Sequence, residues 1–128
     1  MDGFPGSIAY VGRQTLTRNG QSNLITCRNY VDADGNPGGG YAHGPGMCIA
    51  WQDGPRGKND DGTLKPANGA FVEDALQAAA QRLAFFQQSK YADPANADAL
   101  IHIDAAIKRL QRRAEERAAR GVLGQNAV

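Results

Sequence analysis

The chain reads as an α+β protein: a small antiparallel N-terminal sheet packed with a C-terminal antiparallel two-helix hairpin, assembled into an oligomer. Two observations predict this. Residues 1–66 hold most of the sixteen glycines and five of the six prolines, and their apolar residues come in short runs bounded by turn formers. From Val72 onward the apolar residues instead recur every three or four positions, which is the period of a helix. The expected organisation is a glycine-rich β region over 1–66, a helical hairpin over 67–124 and a tail over 125–128.

The elements follow in order. Ile8-Ala9-Tyr10-Val11 is a strand, and Asn19-Gly20 is a strong two-residue hairpin turn after it. Leu24-Ile25-Thr26-Cys27 through Tyr30-Val31 is the second strand, rich in β-branched and aromatic residues. Residues 32–46 carry Gly35, Gly38, Gly39, Gly40, Gly44 and Gly46 and read as a long loop, since so many glycines leave much backbone entropy to lose. Met47-Cys48-Ile49-Ala50-Trp51 is a third strand ending in the turn Gln52-Asp53-Gly54-Pro55, with Trp51 facing the core. Residues 56–66 are a polar connector. So few short strands bury little surface alone, so they must pack on the second half or on another copy of the chain.

The helical half has two seams. Val72, Leu76, Ala79, Leu83 and Phe86 form one, and Leu100, Ile103, Ile107, Leu110 and Ala114 the other. Asn68 is the expected N-cap of the first helix. Asp93-Pro94 supplies an N-cap and a first-turn proline for the second, and Gly121 a left-handed stop. Phe71, Ala78, Ala80, Phe85, Ile101 and Ala105 lie off the seams. A lone hairpin would leave that apolar surface wet, which points to a homo-oligomer.

Composition excludes several classes of function. Fourteen basic residues against thirteen acidic ones give no global field of the kind that non-specific binding to nucleic acid needs. No apolar run approaches the roughly 20 residues of a membrane span. The opening residues lack the basic start and apolar core of a signal peptide, so the chain reads as cytosolic, with Cys27 and Cys48 as reduced, partly buried thiols that pair only if they sit on adjacent strands. With two cysteines and two histidines no zinc site is expected, and no cofactor. His102, between two isoleucines, reads as a core or interface residue. Glu73-Asp74 suits a helix first turn, and Asp60-Asp61 a solvated loop. No nucleophile and base stand together, so no catalytic residue is assigned.

The charge is uneven, however. Lys108, Arg109, Arg112, Arg113, Arg117 and Arg120 crowd the end of the second helix against only Glu115 and Glu116. Helical spacing sets Arg113, Arg117 and Arg120 on one side, where planar guanidinium forks suit phosphate. Ordinary helix chemistry gives an alternative, because cations also favour a helix C-terminus. Arg117 distinguishes the two: continuing the seam 103, 107, 110, 114 leads to 117, so this charge extends a buried stripe and needs a partner there. At the other end of the hairpin, Phe85 and Phe86 are adjacent, so one must leave the seam. An aromatic freed this way can stack on a purine or pack against another subunit.

These residues bear a family resemblance. The runs Trp51-Gln52-Asp53-Gly54-Pro55 and Asn68-Gly69-Ala70-Phe71-Val72-Glu73-Asp74, then Arg82-Leu83, Asn96 and the closing Arg113-x-x-x-Arg117-x-x-Arg120-Gly121-Val122-x-Gly124, resemble phage Thoeris anti-defence proteins of the first type, which share a helical hairpin with phage anti-CBASS sponges. The resemblance covers roughly residues 47–124. It implies a non-enzyme that sequesters immune signalling nucleotides intact in the cytoplasm of the host bacterium. The implied ligand is glycocyclic ADP-ribose made by TIR-domain proteins, with cyclic trinucleotides of CBASS at a separate site in some members. It also implies dimers combining into hexamers, with ligand pockets between subunits. By position, Arg113 and Arg117 would bind phosphate, Phe86 would stack, Asn96 would hydrogen-bond, and Arg120 and Gly121 would complete the closing motif. Gln125 departs from the pattern, standing where many relatives carry threonine, and this weakens the case for the trinucleotide site. Two alternatives stay open: a small cyclic-nucleotide hydrolase or lyase, and a phage adaptor that binds a macromolecule through the basic helix.

Overall fold

A computed structural model describes residues 9–18 and 21–127, with side chains in the opening strands described from Ile25 onward. Ile8, Val128 and the Asn19-Gly20 turn therefore lie outside the described residues. The elements run β1 (Ala9–Arg18), β2 (Gln21–Val31), β3 (Pro37–Gly44), β4 (Met47–Ala50), α1 (Val72–Gln87) and α2 (Pro94–Ala119). The class is α+β. The chain divides into two compact units, Phe71–Leu123 being one and the sequence on either side of it the other. The expected division after residue 66 thus moves to Ala70, and the tail rejoins the first unit from Gly124 onward.

The first unit is a four-stranded antiparallel meander in the order β1-β2-β3-β4. Arg18 pairs with Gln21, which brackets the expected two-residue turn, and β1 runs well beyond the short apolar stretch that signals it. Residues 32–46 correct the sequence reading. They are no long loop, because Pro37–Gly44 forms β3, pairing with β2 on one side and β4 on the other. Only a tight turn precedes it, in which the Asp32 carboxylate accepts from the amides of Asp34 and Asn36, both at 2.9 Å. Gly40 explains why β3 tolerates its glycines. A Cβ there would run into the backbone carbonyl of Arg28 on β2, so the strands approach more closely than a side chain would allow. Pro45-Gly46, with φ of +73° at the glycine, then turns the chain into β4.

Trp51 continues past β4 by bridging Ala70, and its amide donates to the Gly40 carbonyl at 3.0 Å. It is half-buried rather than a core centre. Residues 56–66 fold back through an antiparallel bridge between Lys58 and Leu64. At the tip, the Thr63 hydroxyl and amide both donate to Asp61 and hold its carboxyl below the usual carboxylate range. Cys27 on β2 and Cys48 on β4 are both free thiols. They flank β3 instead of sitting on adjacent strands, and two strand spacings of roughly 9–10 Å separate the strands that carry them, beyond disulfide reach. Cys48 is exposed, not partly buried.

The second unit is the hairpin. Asn68 does not cap α1. The N-cap is Phe71, whose amide donates to the Asp74 carboxylate at 2.8 Å, an acid in the first turn as the sequence expects. Asn68 instead clamps the turn at residues 51–55. Its side chain accepts from the Asp53 amide at 2.8 Å and donates to the Asp53 carbonyl at 3.1 Å, while its own amide donates to the Gln52 side chain. The α1 seam is also shifted: Ala80 is buried while Ala79 and Val72 are exposed, so the inward stripe is Leu76, Ala80, Leu83 and Phe86. The α2 seam runs as read, with Ile107 buried and Leu100, Ile103, Leu110 and Ala114 half-buried. Tyr30 and Ala42 anchor the first unit, and Ala80 and Ile107 the second. Among the described residues no side chain is fully enclosed, whereas Phe85, Tyr91 and Ile101 are 57%, 65% and 67% exposed.

Candidate functional site at the two ends of the hairpin

The arginine end is built by the stop signal of α2. Gly121 adopts φ +74°, its amide donates to the Ala118 carbonyl, and the Val122 amide reaches back to the Arg117 carbonyl, each at 3.0 Å. This paired closure is a Schellman motif. Arg117 closes the same turn from outside, since its guanidinium donates to the Val122 carbonyl at 3.2 Å. The side chain is therefore anchored at the helix end, and it is half-buried where its neighbours Arg113 and Arg120 are exposed. That order of exposure is what the seam predicts, because 117 continues the stripe of 107, 110 and 114. Arg120 is the C-cap, its amide bonded to the Glu116 carbonyl at 3.1 Å. The Arg113 side chain makes no hydrogen bond or ion pair among the described residues.

The turn end is tied by side chains. The Ser89 hydroxyl donates to the Phe86 carbonyl at 2.7 Å and accepts from the Tyr91 amide at 3.1 Å. The Asp93 amide donates to the Gln87 side chain at 2.9 Å, and the Asp93 carboxylate caps α2 through the Ala95 amide at 2.7 Å. Phe86 and Asn96 flank this turn, both half-buried, while Phe85 points outward. The sequence reading quotes Arg82 within the resemblance but gives it no role in the site. Its guanidinium lies 4.9 Å from the Phe86 ring centre and 5.1 Å from that of Phe85. The spacing of three and four residues was the available signal.

The six expected residues thus form two groups, not one. Phe86 and Asn96 sit at the turn; Arg113, Arg117, Arg120 and Gly121 sit at the far end. Along α2, Asn96 and Arg113 are separated by roughly 25 Å of helix rise. Between them the outer side of α2 carries an open depression of about 480 Å³ lined by Ala105, Lys108, Gln111, Arg112 and Glu115. His102 is no core residue: its side chain is 77% exposed, 3.7 Å from the Asp98 carboxylate one turn earlier. Among the described residues no group of three or more potential ligands could hold a metal ion, and no helix is long and apolar enough to cross a membrane. Comparison with protein-family models and with curated protein sequences finds no match for the chain.

Proposed function

We propose that this protein captures a cyclic nucleotide immune signal and holds it intact, as the phage anti-defence proteins resembled by its closing motif do. Glycocyclic ADP-ribose is the leading ligand, with cyclic trinucleotides as a second class. One observation carries the reading: Arg117 occupies the seam position of α2 and is fixed there by the carbonyl of Val122, with Arg113 one turn before it. A positioned guanidinium beside a second one matches the oxygens of a diphosphate.

The arginines, Phe86 and Asn96 suit binding rather than cleavage. Arginine stays protonated at any physiological pH and so is no base, and neither a phenyl ring nor a neutral amide is a nucleophile. Because the arginine end and the turn end of one chain are so far apart, the pocket that unites them is shared between copies, arginines from one and Phe86 with Asn96 from another. Self-association also covers the exposed Phe85, Tyr91 and Ile101.

The test is recovery of ligand. Incubated with glycocyclic ADP-ribose and then denatured, the protein should release the nucleotide unchanged in stoichiometric amount. A hydrolysed or ring-opened product would replace this reading with that of a small hydrolase or lyase. Steeply salt-dependent binding to duplex DNA, with no affinity for nucleotides, would replace it with that of an adaptor.

A further inference from the structure

Arg82 is a cation of the hairpin whose side chain meets two aromatic rings and, among the described residues, no carboxylate. It is exposed on α1, and its only interactions among the described residues are with the rings of Phe85 and Phe86. The positions three and four residues away on its helix are Ala78, Ala79, Phe85 and Phe86, so α1 offers it no carboxylate. The two rings are tilted at 59° with centres 5.9 Å apart, and the guanidinium addresses both. Within the turn, Lys90 is set 5.3 Å from the ring centre of Tyr91. Arg82 and the two rings thus form one cation–aromatic group near the end of α1, and Lys90 with Tyr91 forms a second in the connection.

We infer that Arg82, with the rings of Phe85 and Phe86, lines the base subsite, and that its guanidinium supplies a stacking surface for the base. The inference rests on the sequestration reading and deepens it. A guanidinium held against aromatic rings is a flat, polar plane. A purine can stack on that plane, while the N–H groups along its edge remain directed at ring nitrogens or at a nearby phosphate. The half-buried Phe86 and Asn96 form the inner side of this subsite, and the exposed Phe85 its rim. Lysine would keep the charge at position 82 and lose the plane, so the two properties can be separated.

The experiment measures equilibrium binding of glycocyclic ADP-ribose and of inorganic pyrophosphate to the full chain and to Arg82→Gln and Arg82→Lys. Arg82→Gln should weaken glycocyclic ADP-ribose by roughly two- to fivefold, the scale of a cation–π contact at an exposed site. Arg82→Lys should recover only part of this loss. Pyrophosphate, which has no base to stack, should bind all three proteins equally, and their melting temperatures should agree. Unchanged affinity for glycocyclic ADP-ribose in Arg82→Gln would overturn the assignment and leave sequestration standing. An equal loss of pyrophosphate binding, or full recovery by lysine, would overturn it too, since charge alone would then explain the effect. Absence of any nucleotide binding by the unaltered chain would overturn sequestration itself.

Discussion

Single side chains at the end of α2 carry separable roles. Arg113 and Arg117 lie one turn apart, the first exposed and the second fastened to Val122. Replacing both with alanine should abolish nucleotide binding by calorimetry while leaving the oligomer intact by native mass spectrometry. Dissociation into monomers would show that the guanidiniums are structural. Gly121 tests the backbone instead. A methyl group there meets no atom within 4 Å, so the only penalty of Gly121→Ala is its left-handed φ of +74°. Thermal or denaturant unfolding should register a loss of about 1–2 kcal/mol. Gly121 was readable in the sequence because the helix period ends there. The hydrogen bond from Arg117 to Val122 was not, because spacing places a residue on a face without fixing where its long side chain terminates.

Among the elements, the hairpin depends on a narrow seam. Ile107 is its most buried large residue, at 6% exposure, and Ile107→Ala should destabilise the hairpin by roughly 2–5 kcal/mol, measured by loss of helical signal in urea. Asn68→Ala offers a contrast. As a helix cap it would melt the first turn of α1, but here it holds the Asp53 backbone through two hydrogen bonds. Near-ultraviolet dichroism of Trp51 should therefore change while helix content does not, at a cost of about 1 kcal/mol. The same contrast separates what was legible from what was not. Asp93-Pro94 and the α2 stripe are local signals, and both stand. β3 was hidden because its run of glycines has no side-chain alternation to read, and what makes it a strand is the close approach of Arg28 on a neighbouring strand. Asn68 has the right residue type for a cap, but its partner is fifteen residues back in the chain. The Ala79 and Ala80 positions differ by a single step in a run of three alanines, where the pattern cannot choose.

At the level of the whole molecule, the proposed division of a binding site between the ends of a long hairpin makes a prediction about mixtures. A variant carrying Phe86→Ala and Asn96→Ala should not bind glycocyclic ADP-ribose, nor should one carrying Arg113→Ala and Arg117→Ala. If the pocket joins two copies, unfolding and refolding the two dead variants together should restore binding in the mixed dimers, to about a quarter of the sites for random two-fold pairing. If each chain builds its own pocket, the mixture stays inactive.

The hydrogen bond from the Gly57 amide to the Gly124 carbonyl has a consequence for truncation. It makes the hairpin an insertion within the first unit, whose stretches are separated by more than fifty residues of chain. Every residue of α1 and α2 lies between those stretches, so the helices can zip without the tie that Gly124 supplies. A chain released at Leu123 should therefore still protect the amides of α2 from exchange and leave that of Gly57 open.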